Sequence, residues 1–400
     1  MTTVVNSAER ARLRRVRVAL LAAALATFAL LYAPQPVLPQ IAAGFHLTPA
    51  EASLTISAAT AGLALAGIPL AAVSDVLGRR RLMIGSLAAA TGVGLLLPLA
   101  GSLSVLVALR VLQGVAIAGV PSVVMAYVAD ELPDHQVTSS MGIYVAGTSL
   151  GGLSGRLVAG LVGDADGWPA GVLAVGTAAA ALTVVFVVLV PAPRGQVRRP
   201  PRLRSLHAGL HRAVSDPVLF GPYLVALLGM GGFVAVYNVL SFRLIRPPIG
   251  LSPALASLAF LAYLAGSVSS TLAGWAAARI GRTAVVVLAL TSALGGLVLA
   301  WPDRLPLVLA GLVVFTAGFF AAHSAASAWV GTRAAASARS QAAAVYLLAY
   351  YVGSSVGGVI GSAAYGSSGW TGLTVLVGCW LLLATVAALG AAVWSRRRPR

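Results

Sequence analysis

The chain contains twelve apolar stretches, each long enough to cross a lipid bilayer as a helix. A membrane-spanning helix requires roughly 20 consecutive, mostly apolar residues. Only 9% of the 400 residues are charged, which is too few to cover the surface of a soluble domain. The sequence therefore predicts an all-α integral membrane protein with twelve transmembrane helices. The predicted spans are 17–40, 52–74, 82–100, 103–128, 138–162, 168–190, 218–242, 253–278, 283–301, 305–331, 340–364 and 371–394.

The positive charge of the chain is distributed unevenly on the two sides of these spans. All 27 basic residues are arginines, and with 10 acidic residues they give a formal net charge of +17. The side that carries the N-terminus holds 22 arginines, the other side holds three, and two lie within spans. Because cytoplasmic loops collect basic residues, both termini are predicted to be cytoplasmic, in the inner (plasma) membrane of a cell. The arginine patches are then expected to contact anionic lipid headgroups rather than nucleic acid.

One long polar segment interrupts the series of spans. Residues 192–216 combine prolines with arginines and end in a short amphipathic helix. This segment is predicted to be a cytoplasmic linker between an N-terminal six-helix bundle, 1–191, and a C-terminal six-helix bundle, 217–400.

The two predicted halves repeat one another. The loop after span 2 returns after span 8 at an offset of 203 positions, and Gly167-Trp168 returns as Gly369-Trp370. Glycines four residues apart allow helices to approach closely, so a repeated glycine series is predicted to pack helices together. Parallel six-helix repeats also place a substrate path between the halves, near the middle of the membrane. The series comprises Gly147, Gly151, Gly152 and Gly155 in span 5 and, 206 positions later, Gly353, Gly357, Gly358 and Gly361 in span 11.

The loop between spans 2 and 3 carries a charged motif. A glycine in this loop permits a tight turn. The carboxylate of Asp75 stands at a helix end, where the positive dipole of a neighbouring helix N-terminus can attract it. A basic cytoplasmic turn alone explains the arginines but leaves Asp75 unexplained. The loop reads Ala71-Ala-Val-Ser-Asp75-Val-Leu-Gly78-Arg79-Arg80-Arg81.

Two arginines lie within spans. In span 4, Arg110 and Gln113 share a helix face because they are three residues apart. An arginine within a span is costly unless it faces a cavity or a partner, so Arg110 is predicted to be functional, with snorkelling to the interface as the alternative. In span 5, Arg156 precedes Asp164 and Asp166. A structural ion pair with one of these aspartates is favoured over a role in substrate binding.

These motifs resemble those of the major facilitator superfamily. The loop is similar to the signature Gly-x-x-x-Asp-Arg-x-Gly-Arg-Arg/Lys, from which Ala71 and Val76 depart. Residues 110–114, Arg-Val-Leu-Gln-Gly, resemble the Arg-x-x-Gln-Gly motif, and the glycines of span 5 resemble the antiporter motif of that helix. Residues 32–40 and 237–244 are similar to the acriflavine-sensitivity and arabinose-efflux-like branch, and the resemblance covers essentially the whole chain.

The resemblance implies two pseudo-symmetric bundles that open alternately to either side of the membrane. It implies that the loop motif acts as a conformational switch, formed by Asp75, Gly78, Arg79 and Arg80. It also implies that helices 1, 4, 7 and 10 line a central cavity, and that the transported molecules are drugs or metabolites expelled at the expense of a proton gradient.

Polar side chains on these four helices are the predicted cavity residues. They are Tyr32, Gln35, Arg110, Gln113, Tyr237, Asn238 and His323. In span 10, Thr316, Phe320, His323 and Ser327 form a single stripe at helical spacing. No Asp or Glu lies near the middle of a span. Because histidine titrates near neutral pH, His323 is the first candidate for proton coupling, followed by Asp75 and Asp130 at the cytoplasmic helix ends.

The sequence favours transport over catalysis. It contains no Ser-His-Asp constellation, no phosphate-binding loop after a strand and no His/Cys metal cluster, so no enzyme activity, cofactor or metal is predicted. The predicted function is proton-coupled efflux of small amphipathic organic molecules. The alternatives are a sugar or metabolite facilitator and, in a different class, a transport-inactive membrane sensor or scaffold.

Overall fold

The computed structural model describes residues 7–192, 203–335 and 338–397. The proline- and arginine-rich start of the predicted linker, 193–202, lies outside these ranges, as do Arg398 and Arg400. Within them the chain is helical and contains no strand. The helices are α1 (Ser7–Tyr32), α2 (Leu38–Phe45), α3 (Pro49–Leu77), α4 (Arg79–Leu96), α5 (Leu103–Ala118), α6 (Val124–Glu131), α7 (Asp134–Leu189), α8 (Leu203–Ser215), α9 (Pro217–Ile245), α10 (Pro253–Leu258), α11 (Tyr263–Ile280), α12 (Arg282–Leu299), α13 (Leu305–Arg333) and α14 (Arg339–Arg397).

Two of these helices each contain two membrane crossings. Gly167 (φ 82°) divides α7, and Gly369 (φ 62°) divides α14. Positive φ values reverse the chain direction here and are accessible to glycine without steric cost. Nine helices of the described ranges are long and apolar enough to cross a membrane. With both arms of α7 and α14 counted, and α5 and α6 taken as one further crossing, the predicted twelve-helix, two-bundle fold is confirmed.

The pseudo-symmetry extends to the short loops. Gly78 joins α3 to α4 with φ 94° and ψ 133°, and Gly281 joins α11 to α12 with φ 84° and ψ 151°. In each loop the glycine amide donates to the carbonyl four residues earlier, to Ser74 in one case and to Ala277 in the other. The same turn therefore occurs at equivalent places in the two bundles.

The predicted glycine series lies at two matching helix contacts. A Cβ atom on Gly151 of α7 would lie 2.5 Å from the carbonyl oxygen of Leu25 in α1. A Cβ atom on Gly357 of α14 would lie 2.3 Å from the Cα atom of Gly231 in α9. The neighbouring positions of both series are similarly crowded: Gly147, Gly155, Gly353 and Gly361 also meet atoms of the facing helix at less than 3 Å.

Three predicted spans are interrupted, contrary to the expectation of continuous helices: the first and the fourth at prolines, and the eighth, 253–278, at a 3-10 turn, Ala259–Ala262. The span predicted at 17–40 ends at Tyr32 and resumes as α2, because Pro34 and Pro36 have no amide hydrogen to continue the hydrogen-bond ladder. The span predicted at 103–128 is split into α5 and α6 around Pro121 for the same reason.

The ends of the bundles define two faces of the molecule. Both ends of the described chain lie on one face with α8, and we call it the basic face because its loops carry most of the arginines. The turns after α1, after α9 and at Gly167 lie on the other face, which we call the opposite face. On the basic face, α8 packs against α14, where a Cβ atom on Gly209 would lie 2.8 Å from the Gln341 side chain.

Candidate substrate site

The two bundles meet on the opposite face. The Oγ atom of Ser355 in α14 donates to the carbonyl of Ser57 in α3 at 2.8 Å. At a second contact between the bundles, Gly160 of α7 faces Ser257 of α10 so closely that a Cβ atom would lie 2.3 Å from the Ser257 Cβ. On the basic face, the ion pairs Arg79–Asp130 and Arg333–Asp216 each lie within one bundle. The opposite face is therefore closed by direct contact between the bundles.

Arg110 is located where helix 1 is interrupted. Because Pro34 has no N–H, the Leu30 carbonyl has no partner in its own helix, and Nη1 of Arg110 donates to it at 3.0 Å. Nη2 donates to the Leu31 carbonyl, and Nε donates to the Thr55 carbonyl at 2.6 Å. Arg110 thus caps the C-terminus of α1 and ties it to α3.

This arrangement corrects the predicted placement of two cavity residues. Arg110 and Gln113 are both fully buried inside the N-terminal bundle and do not line an open cavity. Gln113 accepts a hydrogen bond from Arg110 and donates to the Ala90 carbonyl at 3.1 Å. Four donor groups of the guanidinium are satisfied by the protein, so the fold itself explains why these polar side chains lie within a span.

Arg156 lies at the junction between the bundles. Its Nε donates to Oε1 of Gln35 at 2.6 Å, and its Nη2 donates to the hydroxyl of Tyr263 at 3.0 Å. Its Nη1 donates to the Gly152 carbonyl, one turn earlier in the same helix, at 2.7 Å. The guanidinium carbon lies 4.2 Å from the ring centroid of Tyr32 and 4.4 Å from that of Tyr263. Arg156 therefore contacts both bundles, although only 1% of its surface is exposed.

The predicted ion pair of Arg156 is wrong. Asp164 and Asp166 are exposed on the opposite face, and Arg156 makes no ion pair within the described residues. The aspartates follow by eight and ten residues, a spacing that carries them beyond the end of the buried part of the helix. The charge of Arg156 is surrounded instead by neutral acceptors and aromatic faces.

A chain of polar side chains continues from Arg156 into the C-terminal bundle. Nε2 of Gln35 donates to Oδ1 of Asn238 at 2.8 Å, and both side chains are fully buried. Nδ2 of Asn238 and Oγ of Ser57 have no hydrogen-bond partner. A Cβ atom on Gly358 would lie 2.8 Å from that Nδ2 and 3.1 Å from that Oγ, so Gly358 leaves space for both polar groups.

The C-terminal bundle contributes an aromatic wall beside this junction, formed by Tyr263, Phe320, His323 and Tyr350. All four side chains are half-buried. The ring centroids of Tyr263 and Phe320 are 6.0 Å apart, and those of His323 and Tyr350 are 4.7 Å apart. Nδ1 of His323 lies 2.9 Å from the hydroxyl of Tyr346.

The predicted stripe of span 10 is only partly on this wall. Thr316 is fully buried and its hydroxyl lies 2.6 Å from that of Tyr237, which is also fully buried. Tyr237 therefore belongs to the interior of the C-terminal bundle, which corrects its predicted place in the cavity. Phe320 and His323 are half-buried, and Ser327 is exposed.

The loop motif lies on the basic face, away from the junction. Arg79 donates to the Ala126 carbonyl at 2.9 Å and pairs with Asp130. Asp130 stands in the last turn of α6. Nε of Arg80 donates to the Val190 carbonyl at 3.1 Å. Asp75 is half-buried, and its side chain makes no hydrogen bond or ion pair with any residue that the structure describes.

Comparison with known proteins identifies the family. The family model described as Major Facilitator Superfamily matches residues 19–246. This chain belongs to the major facilitator superfamily. The MFS-type transporter YybF of Bacillus subtilis is 34% identical, over 93% of this chain and 92% of its own length. The inner membrane transport protein YnfM of Escherichia coli is 38% identical, over 92% of this chain and 88% of its own length.

Solved structures agree on the fold of this superfamily member. A bacterial homologue of the human lysosomal transporter Spinster, in an inward-facing and occupied conformation, superimposes with a TM-score of 0.78 at 17% identity. The match covers 95% of this chain and 96% of the homologue. The family match and the two relatives make the protein a multi-pass membrane transporter rather than an enzyme. The assignment to one branch of the superfamily stays a prediction.

Sequence reasoning missed the partners of Arg156. Tyr263 and Phe260 come from the interrupted eighth span, and their rings lie on the guanidinium only because the bundles meet there. One feature of the sequence does indicate the arrangement. No acidic residue stands three or four positions before or after Arg156, so its own helix supplies no charged side-chain partner.

Proposed function

We propose that this transporter exports small amphipathic organic molecules from the cytoplasm in exchange for protons. The half-buried aromatic wall of Tyr263, Phe320, His323 and Tyr350 supports this proposal, because aromatic side chains with few polar groups are typical of sites for amphipathic ligands.

The direction of transport follows from the distribution of arginines. If the basic face is cytoplasmic, as arginine-rich loops favour, the closed opposite face leaves the site accessible only from the cytoplasm. An exporter loads its substrate in this state. The relative YnfM is an inner membrane transport protein, which supports the same membrane for this chain.

The domain organisation proposed for this cycle is that expected from the sequence. The bundles 1–191 and 217–400 move against each other, and the cytoplasmic linker 192–216 joins them. The basic patches next to the linker contact anionic lipid headgroups.

His323 is the proposed coupling group. Among the histidines of the described ranges it is the one far from the ends of a membrane-crossing helix, since His135 stands in the first turn of α7, and it lies on the aromatic wall beside Tyr350. A histidine that binds a proton changes the charge of such a wall, so its protonation state alters how strongly the wall binds substrate.

Everted membrane vesicles test this proposal. A panel of small neutral and anionic aromatic compounds is first screened for the compound that most raises the melting temperature of the purified protein. We expect that compound to accumulate in vesicles with an acidic lumen and to leave when a protonophore is added. Equilibration without accumulation indicates a facilitator, and no flux above empty vesicles indicates a sensor or scaffold; both contradict proton-coupled export.

The His323→Gln variant tests the coupling group in the same vesicles. We expect it to bind the compound and to allow downhill flux, but to lose accumulation driven by the pH gradient. His135→Gln is the matched control, because His135 is exposed on the basic face. Gradient-driven accumulation by His323→Gln at the rate of the control would show that protons are coupled elsewhere.

A further inference from the structure

The junction between the bundles has more hydrogen-bond donors than acceptors. Arg156 carries five N–H groups, of which three are used by Gln35, Gly152 and Tyr263. Nδ2 of Asn238, at the far end of the same polar chain, has no acceptor. A buried donor without an acceptor and a buried charge without a counter-ion are both costly.

Two other buried arginines of this chain have hydrogen-bond partners typical of a structural role. Arg110 donates to three backbone carbonyls of neighbouring helices and to Gln113. Arg243 pairs with Asp303 and also donates to the carbonyls of residues 300, 301 and 302. Each of these two is held by backbone groups from another part of its own bundle.

Arg156 differs from both arginines in its partners. Its one backbone acceptor belongs to its own helix, and its other partners are side chains from opposite bundles, Gln35 and Tyr263. None of the ten Asp and Glu side chains, all of which lie in the described ranges, forms an ion pair with it. Only the Tyr263 hydroxyl belongs to the other bundle and can separate from Arg156 when the bundles move, whereas Gly152 and Gln35 move with Arg156. The acceptors that remain are neutral, so the charge of Arg156 has no counter-ion.

We propose that Arg156 binds the carboxylate of a small organic monoanion and so sets the substrate class of the exporter proposed above, on which this inference rests. One negative charge balances the one buried cation. A planar carboxylate matches the geometry of the guanidinium and accepts two parallel hydrogen bonds. Tyr263 and Phe320 of the aromatic wall contact the apolar body of the molecule. The carboxylate replaces the Tyr263 hydroxyl as the partner of Nη2, which removes one contact that holds the opposite face closed.

Binding to the purified, full-length protein tests this assignment at neutral pH. The probes are benzoate, phenylacetate and cyclohexanecarboxylate, each compared by calorimetry with its uncharged amide of the same shape. We expect at least one carboxylate to bind about tenfold or more tightly than its amide, as a charge-assisted hydrogen bond provides. If no carboxylate binds more tightly than its amide, the assignment is overturned.

Two variants test whether the preference for carboxylates over amides depends on Arg156. Arg156→Gln is expected to lower the affinity for the carboxylate about tenfold and to leave that for the amide unchanged. Arg14→Gln, on the basic face, is the matched control. Unchanged carboxylate affinity in Arg156→Gln overturns the assignment. If Arg156→Gln does not fold, Tyr263→Phe decides: it keeps the ring, removes the competing hydroxyl and is expected to bind the carboxylate several-fold more tightly, whereas unchanged or weaker binding contradicts the proposal.

These measurements need neither a membrane gradient nor flux. Carboxylate binding that depends on Arg156, without accumulation in vesicles, therefore supports this inference and contradicts proton-coupled export. Accumulation of an uncharged compound, with no tighter binding of carboxylates than of amides, supports proton-coupled export and contradicts the carboxylate site at Arg156.

Discussion

Arg110 is held by carbonyl groups that the interruption of helix 1 sets free. Pro34 removes the amide that would otherwise bond to Leu30, and the chain turns away at Tyr32, so the carbonyls of Leu30 and Leu31 remain open at the end of α1. A cation at a helix C-terminus also interacts favourably with the negative end of the helix dipole. The proline and the arginine, which are 76 positions apart in the sequence, therefore form one structural unit.

Arg110→Ala is expected to destabilise the protein. The substitution leaves the carbonyls of Leu30, Leu31 and Thr55 without their donor, and each buried acceptor left without a partner costs about 1–3 kcal/mol. The measurement is the melting temperature in detergent micelles. Arg14→Ala is the control, because Arg14 is exposed and should leave the melting temperature unchanged. A melting temperature for Arg110→Ala equal to that of the control would contradict the capping role.

At the scale of helices, the closest contacts are made by glycines that face another backbone. The first arm of α7 approaches α1 at Gly151, and α14 approaches α9 at Gly357, at equivalent places in the two bundles. Dispersion contacts and close packing hold helices together in a membrane, because lipid removes most of the hydrophobic driving force between them. These two contacts are close helix packing contacts, one within each bundle.

Gly151→Ala is expected to push α1 and α7 apart and to destabilise the N-terminal bundle by about 1–3 kcal/mol. The added methyl group would lie 2.5 Å from the Leu25 carbonyl oxygen and 2.7 Å from the Leu25 Cα atom. Gly142→Ala is a matched control in the same arm of α7, since a Cβ atom there meets nothing within 4 Å. Equal unfolding temperatures of the two variants would show that the contact between α1 and α7 accommodates the methyl group without loss of stability.

The sequence predicts the helices better than it predicts their interruptions and contacts. Apolar length identifies all twelve crossings, and repeated glycines identify the equivalence of the two bundles, because both depend on local composition. The breaks at Pro34 and Pro121 lie in stretches that apolar length alone predicts as continuous helix, since proline within a transmembrane helix is often tolerated. The contacts of Arg156 with Tyr263 and Phe260 depend on how the two bundles meet. Nothing within its own helix determines them.

At the scale of the whole molecule, the two faces differ in how the bundles are joined. On the opposite face, side chains of both bundles interlock at Arg156, Gln35 and Asn238. On the basic face, the side chain of Asp75 has no hydrogen bond or ion pair among the described residues. A residue that is unbound in this conformation is available to bind in the alternative one, where the basic face is closed.

Asp75→Asn is expected to slow transport and to leave substrate affinity unchanged. We propose that the charge of Asp75 stabilises only the alternative conformation, in which case its removal shifts the conformational equilibrium without altering the site. Transport rate and dissociation constant are measured together, with Asp134→Asn, an exposed carboxylate on the basic face, as the control. A normal transport rate at normal expression would rule out the switch role of Asp75.

The central claim is that the opposite face opens and closes during each transport cycle, and a reversible cross-link across it tests this claim most directly. A Cβ atom on Gly366 of α14 would lie 3.8 Å from Cδ of Pro49 in α3. Cysteines introduced by Pro49→Cys and Gly366→Cys can therefore be joined by a short bis-methanethiosulfonate reagent. The native cysteine is removed by Cys379→Ser. Flux of the compound found by thermal shift is then measured in vesicles before linking, after linking and after reduction, with Pro49→Cys alone as the control. We predict that linking abolishes flux and that reduction restores it. Flux through the linked protein at the rate of the single-cysteine control would contradict transport by alternating access at this face.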